Sequence, residues 1–354
     1  MRIAVTGATG NVGTAVLRRL STDGHELIGL ARRVPDGPVA GDQPIAWHSI
    51  DLTRVAPDEL AGAFVGADAV VHLAWGFQPS HDLDYLRELG VGGTQRVVAA
   101  MAAAGVPHLV HMSSLGAYSP RRDDTPVDES WPTEGVPTSR YSRHKAWAER
   151  VLDDVEADGT LRTITRLRPG IVGQRSAASA LLRYGVPGLV PARMLSWLPV
   201  LPLDRGLQVS AVHADDVADG VARVLDRGAG GAFNLASERP LTAADIAAAF
   251  GARLVHVPSE VLRVLASAAW NLHLQQVDTG WLDMAFALPL LDSTRARTEL
   301  GWSPTKDSAA VIREVVEGMR DAAAGPTEAL RPRTVAGTVS DAIRRGPVAQ
   351  RPRP

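Results

Sequence analysis

The sequence predicts a doubly wound α/β protein: a parallel β-sheet with helices on both faces, and a smaller, mainly helical lobe built from C-terminal segments. Three observations carry this. Short apolar, β-branched runs alternate with longer helical patterns from residue 2 to residue 169. One of those runs, ADAVVHLAW (67–75), shows no polar alternation after its start, as a strand covered on both faces requires. The first run passes directly into a glycine turn that opens a helix, TGATGNVG (6–13).

The elements follow in order. RIAVT (2–6) reads as a short buried strand, and NVGTAVLRRLSTDG as a helix closed by Gly24 at C′. HELIGLAR (25–32) and IAWHSID (45–51) read as the second and third strands, with a short helix over 57–64 and the fourth strand at 67–75. A long helical stretch over 81–104 leads to HLVHMSS (108–114), then to a helix that contains Tyr141, then to LRTITRLRP (161–169). After Pro169 the rhythm breaks: residues 170–207 are rich in Pro, Leu, Gly and Arg with no clean period. It returns as a strand and helix over 208–226, a strand at 231–237, and helices over 242–251, 259–274 and 306–323. The expected division is therefore 1–169 plus 208–237 as a dinucleotide-binding domain, and 170–207 plus 238–324 as a substrate lobe. From 325 to 354 the chain is Pro/Arg-rich with few apolar residues, and disorder is expected there.

Composition narrows the function. At 354 residues, 45% hydrophobic and 21% charged, the chain has the make-up of an ordinary globular protein. A net charge of -2 gives no global field for nucleic acid or an anionic membrane, so neither is expected as a partner. Cysteine is absent, which excludes disulfides, thiolate nucleophiles and cysteine metal sites. His, Asp and Glu form no convincing metal-ligand spacing, and no metal is expected. The N-terminal apolar run is too short for a signal sequence and enters a glycine turn at once, so a cytoplasmic protein is expected.

Gly7, Gly10 and Gly13 lie three apart between the first strand and the first helix. Backbone N–H groups and a helix dipole meet there, which suits a pyrophosphate, and glycine lets the backbone approach it. The same turn could also be a tight connection that binds nothing. If it is a cofactor turn, Gly7, Thr9, Gly10, Asn11, Val12 and Gly13 form it. The second strand ends GLARR, so Ala31 and Arg32 stand where an acidic residue would hold the adenosine ribose of NAD. A small residue followed by an arginine suits a 2′-phosphate, so NADP is preferred to NAD. Asp51, ending the third strand beside Leu52, is placed to accept from the adenine amino group or to cap the next turn.

In RYSRHKAWAER (140–150), Tyr141 and Lys145 are four apart and share one helix face. Such a face can be merely solvated. It can also be a proton-transfer site: tyrosine titrates near pH 10, and an ammonium close by favours its phenolate.

These stretches, with VVHLA (70–74), HMSSLGAY (111–118), RLRPGIV (166–172), VHADDVA (212–218), FNLAS (233–237) and LGWSP (300–304), resemble the extended short-chain dehydrogenase/reductase family, also called the NAD-dependent epimerase/dehydratase family. The resemblance runs from residue 1 to about 320. It implies a Rossmann sheet and a catalytic set of Ser114, Tyr141 and Lys145. Tyr141 would be the acid/base, Lys145 would bind the nicotinamide ribose, and Ser114, rather than Ser113, would polarise the substrate oxygen. Leu73, Ala74, Pro169, Ile171 and Val172 would flank the cofactor, and Trp75, Ser114 and Tyr118 would meet the substrate. Phe77, Trp197, Trp270 and Trp281 are further candidates for the pocket wall, and for each of these, as for Trp75 and Tyr118, packing between lobes is the alternative and the favoured role. His72 and His213 read as core or strand-end residues, and ADD (214–216) as a helix cap.

The departures from the family bear on the reaction. Leu115 and Gly116 replace the Asp-Glu of the sugar 4,6-dehydratases, Gly90 replaces the Asn of N-x-x-G-T, and Ile171 stands where nucleotide-sugar enzymes place an Asn. The expected function is an NAD(P)-dependent oxidoreductase acting on a ketone, aldehyde or alcohol of a small, fairly apolar metabolite. An epimerase with transient oxidation and a non-catalytic dinucleotide-binding regulator are the alternatives. A homodimer is expected from the resemblance alone.

Overall fold

The structure, a computed structural model, describes residues 1–41, 43–76, 83–185, 198–271 and 279–332. Along the chain, β1 (Arg2–Thr6), α1 (Asn11–Thr22), β2 (Glu26–Ala31), β3 (Ile45–Ser49), α2 (Pro57–Phe64) and β4 (Ala69–His72) form the first half of the sheet layer. Then come α3 (Leu83–Arg87), a π-helical turn (Glu88–Gly92), α4 (Gly93–Ala104), β5 (His108–Met112), α5 (Arg140–Ala157) and β6 (Thr163–Pro169). Short elements follow: β7 (Ile171–Gly173), α6 (Ala178–Gly185), β8 (Val200–Leu203), β9 (Gln208–Val209) and β10 (Ala211–His213). The chain continues through α7 (Ala214–Arg227), β11 (Gly231–Leu235), β12 (Leu241–Thr242), α8 (Ala243–Phe250), β13 (Arg253–His256) and α9 (Ser259–Asn271). It closes with α10 (Thr279–Ala287), α11 (Thr294–Leu300) and α12 (Ser308–Arg320).

Seven strands pair in the order β11-β6-β5-β4-β1-β2-β3, all parallel. The order reverses direction between β1 and β4, so the carboxyl end of β1, with its glycine turn, lies at the switch point where such sheets bind ligands. Successive residues of β1 face opposite ways: Ile3 and Val5 join one core with Val16, Leu17 and Leu20 of α1 and Val217 and Val221 of α7. Ala4 joins the other with Leu60 and Phe64 of α2, Val97 and Met101 of α4 and Leu152 of α5. This two-sided burial is what the unalternating fourth strand demanded.

The expected helix over 81–104 is α3 and α4 joined through the π-helical turn, residues 77–82 lying outside the described residues. The stretch 170–207 contains two short strands that pair across the chain, β7 with β10 and β8 with β13, and just after it β9 pairs with β12. Strands of two to four residues are too short to show a period in sequence, as is the seven-residue α11. Residues 186–197 and 272–278, which belong to the expected substrate lobe, lie outside the described residues.

Two expectations are corrected. The cap of α7 is His213, whose ring accepts from the Asp215 N–H at 3.2 Å, while Asp216 accepts from Thr305 N and Oγ1 at 3.0 and 2.7 Å. The chain also stays ordered past 325. Leu330 is buried against Ala177 and Ala180, Thr327 Oγ1 donates to the Thr9 carbonyl at 2.7 Å, and Glu328 pairs with Arg33 at 2.8 Å. One leucine and two polar ties outweigh the Pro/Arg-rich composition there; the remainder of the expected disordered tail, 333–354, lies outside the described residues.

Trp302, from the LGWSP stretch, is fully buried and its indole N–H donates to the Asp216 carbonyl at 2.7 Å. Truncating it to alanine leaves a cavity and an unpaired carbonyl, so Trp302→Ala should lower unfolding stability by about 3–5 kcal/mol. Urea denaturation of the two proteins measures this.

Candidate active site

The glycine turn is built for close approach. Gly7 has φ +68°, and a Cβ there would lie 2.7 Å from Ala74 N; a Cβ on Gly13 would lie 2.3 Å from the Gly7 carbonyl oxygen. Gly10 occupies the N-cap of α1 without a side-chain cap, leaving the first turn of N–H groups to face whatever occupies the cradle. Asn11 is pinned sideways: its Nδ2 donates to the Val172 carbonyl at 3.1 Å, and Gln174 Nε2 donates back to its carbonyl and Oδ1. Thr6 Oγ1 accepts from the Ala74 N–H at 3.3 Å, tying β1 to the end of β4. The cradle of bare backbone fits a dinucleotide pyrophosphate.

At the end of β2, Arg32 donates to the Tyr85 hydroxyl, its guanidinium carbon 5.8 Å from that ring's centre. Asp51 Oδ1 accepts from Thr53 N and Oγ1 at 2.9 and 2.7 Å, so it caps the following turn, one of the two roles open to it. Leu52 is buried, Leu73 and Ala74 are partly buried, and Ile171 is half-exposed beside Val172 and the buried Pro169. All stand at the carboxyl ends of strands or just beyond.

Ser114, Tyr141 and Lys145 converge beyond the end of β5. Ser114 leaves the strand in extended conformation and caps a short 3₁₀ turn by accepting from the Gly116 N–H at 3.0 Å. Its side chain also hydrogen-bonds the Tyr141 hydroxyl, against which burial pushes the phenol up to about 12. Gly116 matters here, because a Cβ on it would lie 2.8 Å from Tyr141 Cε1. One helical turn on, Lys145 Nζ donates to the Met112 carbonyl at 2.8 Å. Burial lowers its pKa to about 7, with the charge of Glu149 opposing that shift.

The two serines separate cleanly. Ser113 turns away from Tyr141 and donates to Glu149 Oε1. Glu149, 1% exposed, also takes Arg168 through both oxygens at 2.9 and 3.0 Å and lies 3.3 Å from Arg166 Nε. Burial works to raise the Glu149 pKa, but the Arg168 hydrogen bonds and charge, with Ser113 and Arg166, hold it below the ordinary range. Sequence reading missed this group, although Glu149 follows Lys145 by four residues on the same face.

Tyr118 takes the packing role rather than that of a substrate contact. It is fully buried, its hydroxyl donates to Asn234 Oδ1 at 2.7 Å, and Arg168 donates to that hydroxyl at 3.0 Å. Those bonds make it part of the core beside Leu115, Met284 and Leu291. Trp75 does lie at the site, 6.4 Å and edge-on from Tyr141, and Trp281 is 5.1 Å from Tyr141 on another side. Trp270 is partly buried at the end of α9, while Phe77 and Trp197 lie outside the described residues. His72 is buried between Thr6 and Thr94, a core residue as expected. Among the described residues no His, Cys, Asp or Glu group is arranged to hold a metal ion, and no helix is long and apolar enough to cross a membrane.

A seven-stranded parallel sheet, a glycine cradle at its switch point and a Ser-Tyr-Lys set beyond β5 define a dinucleotide-binding protein of the Rossmann class. The model of the NAD dependent epimerase/dehydratase family matches residues 3–236. The chain belongs to that family. It is similar to an uncharacterised protein of Mycobacterium tuberculosis, 29% identical over 328 residues, 90% of this chain but only 30% of the length of that relative. It is also similar to a dTDP-6-deoxy-L-talose 4-dehydrogenase (NAD(P)(+)) of Kitasatospora kifunensis, 29% identical over 89% of this chain and 94% of that one. In fold it is similar to a UDP-glucose 4-epimerase from Stenotrophomonas maltophila solved with bound NAD, with a TM-score of 0.70 and 21% identity over 91% of this chain and 98% of that one.

Replacing Glu149 by glutamine leaves Arg168 buried without a counter-charge. Glu149→Gln should cost about 3–5 kcal/mol of unfolding stability, read by chemical denaturation, even though the change is isosteric.

Proposed function

We propose that this chain is an NAD(P)-dependent oxidoreductase that moves hydride between the nicotinamide and a carbonyl or alcohol carbon of a small, fairly apolar metabolite. The observation that carries the reading is the Ser114–Tyr141 hydrogen bond with Lys145 one turn below on the same helix. The dinucleotide, when bound, supplies or accepts the hydride. Ser114 holds the substrate oxygen and gains strength as negative charge develops on it. Tyr141, kept protonated by burial, gives that oxygen its proton in the reductive direction. Lys145 would hold the nicotinamide ribose, and its ammonium favours the phenolate needed in the reverse direction.

The substrate reading rests on the surroundings of Tyr141. Trp75, Trp281 and the Leu115–Met284–Leu288 cluster enclose it in apolar surface. Leu115 and Gly116 supply no acid or base for an elimination, and Ile171 offers no amide to a diphosphate. The lobe built from 170–207 and 238–324 is proposed to select the substrate. Preference for NADP rests on Ala31 and on Arg32, whose guanidinium is oriented by the Tyr85 hydroxyl.

Dinucleotide titration followed by a screen of apolar ketones and aldehydes with NADPH and NADH tests the reading. Tyr141→Phe should lower kcat by about 10²–10⁴-fold and leave dinucleotide affinity nearly unchanged; full turnover in that variant would remove Tyr141 from the chemistry. Arg32→Ala should weaken NADPH binding by roughly 10–100-fold, the worth of a charge-assisted contact, with little effect on NADH. Equal losses for both dinucleotides would sink the NADP preference.

A further inference from the structure

One family departure, Gly90, meets Trp75 in space. Gly90 stands where the family carries an asparagine, and a Cβ built on it would lie 2.9, 3.0 and 3.2 Å from Cη2, Cζ2 and Cζ3 of Trp75. No side chain at position 90 coexists with the indole in that place. The backbone is adapted as well, because Gly90 sits in the π-helical turn Glu88–Gly92, the wide turn that separates α3 from α4. The face of the same indole carries Lys145, whose Nζ is 3.5 Å from the ring centre, and its edge meets Tyr141 and His111, each at 6.4 Å.

Lys145 needs such a neighbour. It is 2% exposed, its direct hydrogen bond is to the Met112 carbonyl, and among the described residues no carboxylate lies within ion-pair distance of it. The charged or titratable groups that act on it or face it are Glu149 and Tyr141 on α5, His72 on β4, and His111 on β5, with Arg166 on β6 beyond His111. Glu149 is already committed to Ser113, Arg168 and Arg166. Burial first, and then the charge of Lys145, hold His72 neutral, with a pKa of about 3. His111 is held neutral by burial, then by His72, Lys145 and Arg166. An aromatic face attracts a desolvated ammonium electrostatically, through the negative face of its quadrupole.

We propose that Trp75, seated in the room left by Gly90, is a positioning residue for Lys145: its indole face holds the ammonium charged and in place one turn below Tyr141. The proposal takes Lys145 as the cofactor-facing cation of the reading above, and goes beyond it in assigning the group that keeps that cation ready. It also explains why glycine and tryptophan occur together, since the ring occupies the volume that a side chain at position 90 would fill.

The chain has two lysines, Lys145 and Lys306, so isotope-labelled lysine gives two side-chain NMR signals, assigned with Lys306→Arg. Their pH titration in the full-length, ligand-free protein reads the effect directly. A π face raises the pKa of the ammonium it holds, so Trp75→Leu should lower the Lys145 pKa by about 0.5–1 unit and leave Lys306 in place. Trp75→Phe, with a weaker π face, should lower it by less, and Gly90→Ala, which pushes the indole away, should lower it too. Where the leucine variant does not fold, the other two carry the test. A Lys145 pKa that stays or rises in the folded variants overturns the proposal. The titration uses no dinucleotide, so a protein that failed to bind NAD(P) would refute the functional reading while leaving this result standing.

Discussion

The site depends on one buried carboxylate. Glu149 lies on α5, one turn after Lys145 and two after Tyr141, and it joins that helix to two strand ends at once. Ser113 at the end of β5 donates to one oxygen, and Arg168 on β6 takes both. Because Ser113 and Ser114 are adjacent, fixing the first aims the second, and Ser114 then reaches Tyr141 on the very helix that carries Glu149. The loop closes on itself: helix to strand end, strand end to serine, serine back to helix. A charge buried this deeply is unfavourable unless it is fully paired, so the arrangement tolerates few alternatives, and a unique geometry is what proton transfer over a hydrogen-bond length requires.

Arg168 extends the constraint into the core. It donates to the Tyr118 hydroxyl and to the Glu129 carbonyl, while Tyr118 donates to Asn234, the β11 residue paired with Arg168 in the sheet. Asn234 in turn donates to the Val127 and Asp292 carbonyls. Residues from five separate stretches of chain are thereby held around one guanidinium. This accounts for the displacement of Tyr118 from the pocket to the core. Its hydroxyl has two partners inside the protein, and exposing it to a substrate would leave Asn234 and Arg168 short of one bond each.

How much of this was legible in the sequence varies with the range of the interaction. The glycine turn, the strand succession and the Tyr141–Lys145 pair are written in neighbouring residues, where period and spacing speak directly. So is the commitment of Asp51 to its own turn, although the sequence could not choose between that and an adenine contact. The partners of Glu149 lie 36, 19 and 17 residues away, at Ser113, Arg168 and Arg166, and only the register of β5 against β6 brings them together. The packing of 325–332 was illegible for the same reason. A Pro/Arg-rich composition argues for disorder, and it is Thr9 and Arg33, some 300 residues earlier, that hold the segment down.

Aromatic residues show the limit most sharply. Tyr118 and Trp75 look alike in sequence, each beyond a strand end and in or directly after a family motif, and a pattern cannot tell which ring faces the core. The structure separates them by what each polar or charged neighbour still lacks. Around Tyr118 every hydrogen bond is closed internally, so the ring serves packing. Around Trp75 the neighbour is a buried ammonium with one carbonyl partner and, among the described residues, no carboxylate within ion-pair distance, and the indole face supplies the missing attraction. The same asymmetry explains why the chemistry is easier to infer than the substrate. Proton and hydride transfer are set by groups whose electrostatic needs must be met within the sheet edge itself, and those needs leave traces in neighbouring residues. Apolar recognition makes no such demand, because a leucine or tryptophan wall is satisfied equally by a ligand and by the rest of the protein.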